Sequence, residues 1–308
     1  MKRTKIKEKT MKYKLIVDSS CDLPEEIKSK YRYTIAPLIV NLNGKSYKDR
    51  IEITGEEILN AYQKEHIIPT TSTLSLGEIA EMLNAGLKDA DHLFFLTISS
   101  GISSLNQNIQ SVIKTGEYQD KVTLLDSRSL SGSYGILALG VLKDMEEGLS
   151  AKEIEERHLE RAKRTVFQCT IENLELLHRG GRCSGLSYHI GSRFHLHPII
   201  HTKEGRLTVK NLIRAKSLDK PVDWIISCFK KELEKDSIDL RFPVIIDQVE
   251  SPEQAKRIQE GLKDIKPLQV QASGIIVCHT GCETIGLSYL LKKPATSIIQ
   301  KISAMTSR

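Results

Sequence analysis

Short strand-like runs alternate with helix-like runs through the first half of this chain, and this alternation is the feature that most limits the folds open to it. The strand-like runs are rich in β-branched and large apolar residues, whereas the runs between them carry apolar residues at helical spacing. Strands that alternate with helices favour a parallel sheet covered by helices on both faces. The predicted strands cover residues 14–17, 34–40, 92–98 and 121–127, and the predicted helices cover residues 56–66, 77–90 and 105–116.

The pattern changes after residue 149. Residues 150–165 are predicted to form a long, charged helix with few apolar positions, which suits a connector between domains. A length of 308 residues also exceeds the usual range of a single domain. Beyond the connector, the predicted strands cover residues 205–215, 242–248 and 270–280, and the predicted helices cover residues 223–235 and 252–262.

We therefore predict a two-domain α/β protein. Residues 11–164 form an N-terminal domain with a parallel α/β/α sheet, and residues 165–308 form a C-terminal α/β domain with a mixed sheet. Met11 opens a sequence that would start normally, so residues 1–10 are interpreted as a disordered extension or as the product of an upstream start.

The distribution of charge, the lengths of the apolar runs and the spacing of the cysteines argue against several classes of protein. Of the net charge of +6, the first ten residues contribute +4, and aromatic residues make up only 5% of the chain, which argues against nucleic-acid binding. There is neither a run of about 18 apolar residues nor the apolar core of a signal peptide, which predicts a cytoplasmic protein without an integral membrane segment. The six cysteines follow no disulfide framework, as expected for reduced thiols.

Four turns rich in serine and threonine stand at the ends of predicted strands or at the starts of predicted helices. They cover residues 17–22, 69–75, 97–104 and 126–133. In an open α/β sheet, ligands collect outside the carboxyl ends of the strands, where helix N-termini present free N–H groups. Such turns predict a pocket that donates hydrogen bonds to an anionic or carbonyl oxygen.

The hydroxyls of Thr70, Thr71 and Ser72 precede a predicted helix, so they either cap that helix or hold a ligand. In the third turn, Gly101 permits a tight bend and Ser103 opens a helix, whose N–H groups would bind an anion together with the Ser103 hydroxyl. Neither nucleotide-binding pattern, GxxxxGK[ST] or GxGxxG, occurs in the chain, which argues against ATP binding by this chain alone.

Two basic residues are further candidates. Arg182 lies in a glycine-containing loop, where its side chain is either solvated or bound to an oxygen ligand. His279 is predicted to end a strand, where it is either a structural residue or a hydrogen-bond donor beside a carboxylate. A serine hydrolase with His279 as base is an alternative, although no GxSxG motif is present. We predict no metal site, because neither the histidines at 195, 197 and 201 nor the cysteines at 278 and 282 have the spacing of a structural zinc site.

Taken in order, several motifs resemble the DegV family, a class of bacterial fatty-acid-binding proteins. The resemblance runs over nearly the whole chain from Met11. The motifs are VDSSCDLP, APLIVNLNGKSYKDRIEIT, PTTSTLS, ISSGISS, LELLHRGGRCSG, GSRFHLHPIIHTKEGRL and VCHTG.

The resemblance implies a long-chain fatty acid buried between two α/β domains. It implies that Thr71, Ser103 and His279 hold the carboxylate, with possible support from Arg182. It further implies no intrinsic catalysis and no cofactor. The loaded protein would instead be presented to a separate, ATP-binding fatty acid kinase subunit that forms an acyl phosphate for phospholipid synthesis. Transient contact of the protein with a membrane is compatible with the resemblance. A lipid sensor without a kinase partner is the remaining alternative. The other positions proposed to support the head group are Ser72, Ser100, Gly101 and Thr280.

Overall fold

The structure is a computed structural model that describes residues 11–184 and 195–294. The described strands are β1 (Tyr13–Asp18), β2 (Thr34–Ala36), β3 (Ile39–Leu42), β4 (Lys45–Lys48), β5 (Thr70–Ser72), β6 (His92–Thr97), β7 (Val122–Asp126), β8 (Thr165–Ile171), β9 (Cys183–Ser184), β10 (Leu196–Lys203), β11 (Arg206–Arg214), β12 (Ile245–Val249), β13 (Leu268–Gln271) and β14 (Thr284–Leu290). The described helices are α1 (Glu25–Lys28), α2 (Gly55–Glu65), α3 (Leu76–Leu87), α4 (Leu105–Thr115), α5 (Ser131–Glu146), α6 (Ala151–Ala162), α7 (Glu175–Gly180), α8 (Asp219–Glu234), α9 (Pro252–Gly261) and α10 (Gly274–Thr280).

A parallel sheet of four strands, in the order β2-β1-β6-β7, forms the centre of the N-terminal half, residues 11–164. Every residue of β6 is buried, as expected for a central parallel strand covered on both faces. Helices α3 and α4 pack against this sheet, and a small antiparallel sheet, β4-β3-β5, stands beside it. The predicted parallel sheet is confirmed.

A mixed sheet of seven strands, in the order β13-β12-β14-β8-β10-β11-β9, forms the C-terminal half, residues 165–294. The pairs β12–β13 and β9–β11 are parallel, and the other pairs are antiparallel. The predicted mixed sheet is therefore confirmed. The predicted domain boundary between residues 164 and 165 stays a prediction.

Helix α5 joins the two halves. It packs against β1 of the four-stranded sheet and against β8, β12 and β14 of the seven-stranded sheet. Thirteen of its sixteen residues are buried, because it is covered on several sides. Residues 134–147 carry little sequence signal for this helix, because an almost uniformly apolar helix has no amphipathic pattern.

Two predicted strands are wrong in detail. Residues 34–40 were expected to form one strand, but Pro37 separates β2 from β3, which lie in different sheets. Residues 270–280 were also expected to form one strand, yet the chain leaves β13 after Gln271 and forms α10. The hydroxyl of Ser273 caps α10 by accepting a hydrogen bond from the N–H of Ile276.

The helix predicted at residues 150–165 is present as α6, but it does not stand free as a connector. It packs against α5 and β7 in the N-terminal half. Its buried face carries Ile154, His158 and Arg161. Arg161 forms a two-pronged ion pair with the buried carboxylate of Asp144, so part of this charged helix is buried through pairing.

A candidate ligand site between the two sheets

A cavity of about 320 Å³ lies between the two halves, with walls from both. This volume is near the lower limit of the roughly 300–1,000 Å³ typical of small-molecule sites. Aliphatic side chains form one part of the wall, namely Leu38, Ile98, Ile102, Leu130, Leu177, Leu207, Ile275 and Ile276. Polar side chains form the other part, namely Thr71, Ser72, Thr73, Ser103, Ser104, Arg182, His279 and Thr280.

Edge strand β5 and the residue after it place three successive hydroxyl residues, 71–73, at the polar end of the cavity. It pairs with β3, so that Thr71 lies opposite Val40. Thr71 and Thr73 are partly buried, whereas Ser72 between them is exposed, as the alternation of a strand requires. The hydroxyl of Thr73 accepts a hydrogen bond from the Nδ2 of Asn108 at 2.9 Å, which ties the end of β5 to α4.

His279 contacts Thr71 across the cavity wall. Its Nε2 lies 3.0 Å from the Oγ1 of Thr71, and 208 residues separate the two in the chain. Burial lowers the pKa of His279 to about 4, and the nearby positive charge of Arg182 acts in the same direction. The imidazole is therefore neutral at neutral pH.

The neutral ring has one N–H to donate. The Nδ1 of His279 is buried and has no hydrogen-bond partner among the described residues. If Nε2 carries the proton, it donates to Thr71, and the hydroxyl proton of Thr71 is then free to point at a ligand. In that tautomer, His279 acts on the cavity through Thr71 as well as lining it directly.

Helix α4 begins at the same polar end. Its N-cap position, Ser104, makes no side-chain capping hydrogen bond, while the Oγ of Ser103 accepts from the N–H of Leu105 at 3.2 Å. The first turn of α4 therefore offers N–H groups and a partial positive charge toward an acceptor in the cavity.

Arg182 is the one charged residue among the described residues that line this cavity. It lies just beyond α7, is exposed, and its Nη1 donates to the carbonyl oxygen of Gly180 at 2.5 Å. Ser72 and Ser104 are exposed as well. The polar end of the cavity consequently reaches the protein surface.

The apolar end continues inward into a second compartment of about 30 Å³. Leu130, Leu177, Leu207 and Ile276 line both spaces, so the two spaces adjoin. The inner compartment lies between the seven-stranded sheet and the start of α5, and its wall includes Phe167, Cys169, Ile171, Ile200 and Val249.

Of the residues predicted from the sequence, six line the cavity: Thr71, Ser72, Ser103, Arg182, His279 and Thr280. Ser100 and Gly101 are absent from its wall. The hydroxyl of Ser100 donates to Asp126 at 2.6 Å, and Gly101 packs against the backbone of Gly205.

Only two of the four hydroxyl-rich turns supply polar groups to the cavity. The turns at residues 17–22 and 126–133 instead bond to each other, since the Oγ of Ser131 donates to the buried carboxylate of Asp22 at 2.6 Å. The second of them also contributes Leu130 to the apolar wall. Leu130, Ile276 and the other aliphatic wall residues are not predicted from the sequence, because an apolar cavity wall has the same composition as a packed core.

A serine-histidine-carboxylate triad is not formed around His279 in the described part of the chain. Its Nε2 contacts a threonine, and no carboxylate hydrogen-bonds to either ring nitrogen. Within residues 11–184 and 195–294, no group of three or more potential ligands is arranged to hold a metal ion. Over the same residues, no helix has both the length and the apolar character needed to cross a membrane.

The fold and the cavity define the class of this molecule, an α/β protein with a cavity between its two halves that has one polar and one apolar end. A family model described as "Uncharacterised protein, DegV family" matches residues 12–292. The chain belongs to the DegV family.

Relatives and solved structures agree with this assignment. A DegV domain-containing protein of Clostridium acetobutylicum is 27% identical over 282 residues, which are 91% of this chain and 99% of the relative. A DegV family protein from Thermus thermophilus, described as binding fatty acid, aligns with a TM-score of 0.81 and 28% identity over 91% of this chain and 100% of its own. A stearic acid-binding protein from Eubacterium ventriosum shares the fold, with a TM-score of 0.79 and 23% identity over 91% of this chain and 98% of its own.

Proposed function

We propose that this protein binds one long-chain fatty acid and presents its carboxylate to an ATP-binding fatty acid kinase subunit. The observation that carries the proposal is the division of the cavity into a polar end at the surface and an apolar end that leads inward. The structural similarity to the fatty-acid-binding protein of Thermus thermophilus supports the same ligand class.

The polar end suits a carboxylate. Thr71 and Ser103 offer hydroxyl donors, and Arg182 lies at the rim. The first turn of α4, where the side chain of Ser104 makes no capping hydrogen bond, offers N–H groups. These donors share the negative charge without a fully buried counter-ion, which would be costly to desolvate. His279 stabilises the donating orientation of Thr71.

The apolar end suits an alkyl tail and supplies most of the affinity. About 15 methylene groups at about 0.8 kcal/mol each offer a gross ~12 kcal/mol, from which the costs of association and of ordering the tail are subtracted. Full insertion requires the side chains around the narrow inner compartment to separate, because about 30 Å³ holds little of such a tail.

The exposed polar end supports presentation to a partner enzyme rather than intrinsic catalysis. A carboxylate held beside Ser72, Ser104 and Arg182 is accessible from the solvent while its tail is covered. A cytoplasmic location follows from the proposal because the kinase reaction uses ATP.

Extraction of the purified protein with organic solvent, followed by mass spectrometry, tests ligand binding. We expect close to one acyl chain per polypeptide. The double variant Thr71→Val, Ser103→Ala should lose about 3 kcal/mol of binding free energy, or roughly 100-fold in affinity, because two hydrogen bonds to a charged group are lost.

The matched control is the double variant Ser111→Ala, Thr115→Val. It makes the same kinds of change on α4, but at hydroxyls that bond to carbonyl groups of their own helix. Unchanged loading of the Thr71, Ser103 variant would refute the proposed head-group site.

Presentation is tested by incubating protein loaded with radiolabelled stearate with a fatty acid kinase and ATP. Hydroxylamine should trap an acyl phosphate only when kinase, ATP and loaded protein are all present. The absence of any complex with the kinase would favour a lipid sensor without a kinase partner. A stable kinase complex that forms no acyl phosphate would refute presentation for phosphorylation. Turnover of an acyl ester by the isolated protein that disappears in Ser103→Ala would favour a hydrolase.

A further inference from the structure

Helix α10 belongs to the C-terminal half in sequence but lies on the N-terminal half in space. It packs against α2, β3 and β5, and also against α7. Four of its residues, Ile275, Ile276, His279 and Thr280, line the cavity. The position of this one short helix therefore sets both the polar contact to Thr71 and part of the apolar wall.

A buried carboxylate of the N-terminal half meets the amino end of α10. The Oδ1 of Asp22 accepts a hydrogen bond from the backbone N–H of Ser273 at 3.1 Å, across 251 residues of sequence. Asp22 is 1% exposed and also pairs with Arg50, whose Nε donates to the carbonyl oxygen of Ser19 at 2.7 Å. The carboxylate is thus fixed within its own half and does not depend on α10 for its position.

A reciprocal contact runs in the opposite direction. Asp247, on β12 of the C-terminal half, accepts a hydrogen bond from the N–H of Gly132 at the start of α5 at 2.6 Å. A Cβ at residue 132 would lie 2.4 Å from the same carboxylate oxygen, so this close approach requires glycine. Each half therefore supplies a buried carboxylate to the amino end of a helix that borders the cavity or its inner compartment.

We propose that Asp22 is a positioning residue of the ligand site, which holds the amino end of α10 against the N-terminal half and thereby sets the contact of His279 with Thr71. This inference rests on the proposed function for its effect on fatty-acid affinity. Its effect on His279 is independent of any ligand. Asp22 touches neither the cavity nor the proposed ligand, since it is absent from the cavity wall.

Two substitutions at Ser273 isolate the contact. Ser273→Ala removes the capping hydroxyl and keeps the N–H, whereas Ser273→Pro removes both. Proline can be accommodated because the φ of Ser273 is −64°. The difference between the two variants reports the hydrogen bond to Asp22.

The readouts are the affinity for the fluorescent fatty acid cis-parinaric acid and the titration of His279 by NMR. We expect Ser273→Ala to bind within about twofold of the unmodified protein. Ser273→Pro should bind at least tenfold more weakly, and the midpoint of its His279 titration should rise toward the ordinary value because the ring loses its buried position. Equal affinity and equal His279 titration in the two variants would overturn the proposal.

Asp22→Ala provides a second route if Ser273→Pro does not fold. It should weaken cis-parinaric acid binding at least tenfold and shift the His279 titration, whereas Asp22→Asn, which keeps an acceptor oxygen, should restore most of both. Asp144→Ala is the matched control, because Asp144 is another fully buried, arginine-paired carboxylate and is absent from the cavity wall.

If Asp144→Ala changes both readouts as much as Asp22→Ala does, the effect is one of general stability and the proposal fails. If the unmodified protein does not bind cis-parinaric acid at all, the proposed function fails, while the His279 titration still decides whether Asp22 positions α10.

Discussion

At the scale of single residues, the polar end of the cavity works with neutral hydrogen-bonding groups more than with charge. His279 is buried and neutral, and its ring nitrogen contacts the hydroxyl of Thr71. A protonated imidazole at this depth would lack a carboxylate partner among the described residues, and burial alone would make it costly. In the proposed function, the hydroxyl groups are therefore the direct donors to the carboxylate, and His279 orients one of them.

The titration of His279 tests this description. Because burial lowers its pKa from 6.5 to about 4, the ring should stay neutral between pH 8 and pH 5. Its contribution to the free energy of unfolding is fully present above pH 6.5 and is lost as the pH falls from 6.5 to about 4. Two-dimensional NMR of the ring protons measures the midpoint.

His158 is the internal control for that experiment. Burial also lowers its pKa to about 4, and its Nε2 lies 2.8 Å from the carbonyl oxygen of Asp126, away from the cavity wall. Addition of a fatty acid should shift the signals of His279 and leave those of His158 in place. A His279 midpoint near 6.5 would show that the ring is not buried as described.

At the scale of elements, the sequence predicted most strands and helices of the N-terminal half but placed His279 on the wrong kind of element. Residues 270–280 are a short apolar run, and periodicity does not separate a buried strand from a buried helix in such a run. The missed signal was Ser273, an N-cap residue in the middle of the run. Pro37 was a similar overlooked sign that residues 34–40 do not form one strand.

The turn at residues 97–104 lies so close to the hairpin between β10 and β11 that adding one methyl group at Gly101 should lower the stability of the protein. A Cβ at Gly101 would lie 2.5 Å from the carbonyl oxygen of Gly205, in the hairpin between β10 and β11. Since that neighbour is backbone, Gly101→Ala should lower the free energy of unfolding by about 1–3 kcal/mol. Urea denaturation measures the change.

Gly77→Ala is the matched control for this prediction. Gly77 lies in the first turn of α3, and a Cβ there would have no neighbour within 4 Å. This variant should be neutral or more stable by up to about 1 kcal/mol. If both alanine variants have the same stability as the unmodified protein, the hairpin leaves enough space for a Cβ at residue 101.

At the scale of the whole molecule, buried carboxylates at the junction of the halves make stability depend on pH. Burial, partly offset by hydrogen bonds from Ser288 and Gly132, raises the pKa of Asp247 to about 7. Burial likewise raises the pKa of Asp22 to about 6, although the charge of Arg50 opposes the shift. Both groups favour the protonated form in the folded protein more than in the unfolded chain.

The sign of the effect of Asp247 follows from that shift. Its contribution is most favourable below its ordinary pKa of 3.8 and is lost as the pH rises to about 7. Asp247→Asn removes the charge and keeps an acceptor for Gly132 and a donor for Ser288, so it should raise the free energy of unfolding by about 2 kcal/mol at pH 8. Thermal unfolding at pH 5 and pH 8 measures the difference.

Asp144→Asn should have the opposite sign, because it breaks an ion pair with Arg161 that is buried beside α6. Destabilisation by Asp247→Asn at pH 8 would mean that the charge of Asp247 is needed at the junction.

Much of the candidate site depends on how the whole molecule is packed, which limits how far the sequence alone predicts the site. The hydroxyl-rich turns indicated Thr71 and Ser103 as candidate binding residues. The family resemblance then predicted that these two residues and His279 belong to one site. The aliphatic wall did not stand out, because Leu130 and Ile276 differ from core residues only in facing a space. Which turns face the cavity depends on how two sheets pack around α5, and pairings more than a hundred residues apart in the chain leave no local pattern.

Helix α5 also has a consequence for how the molecule is made. Its sequence is complete at Glu146, but β14, one of the strands that cover it, ends only at Leu290. At a ribosomal speed of about 5–20 residues per second, the helix waits roughly 7–30 seconds with an apolar side uncovered. The apolar side of α5 must therefore be protected from aggregation with other chains until β14 has been synthesised.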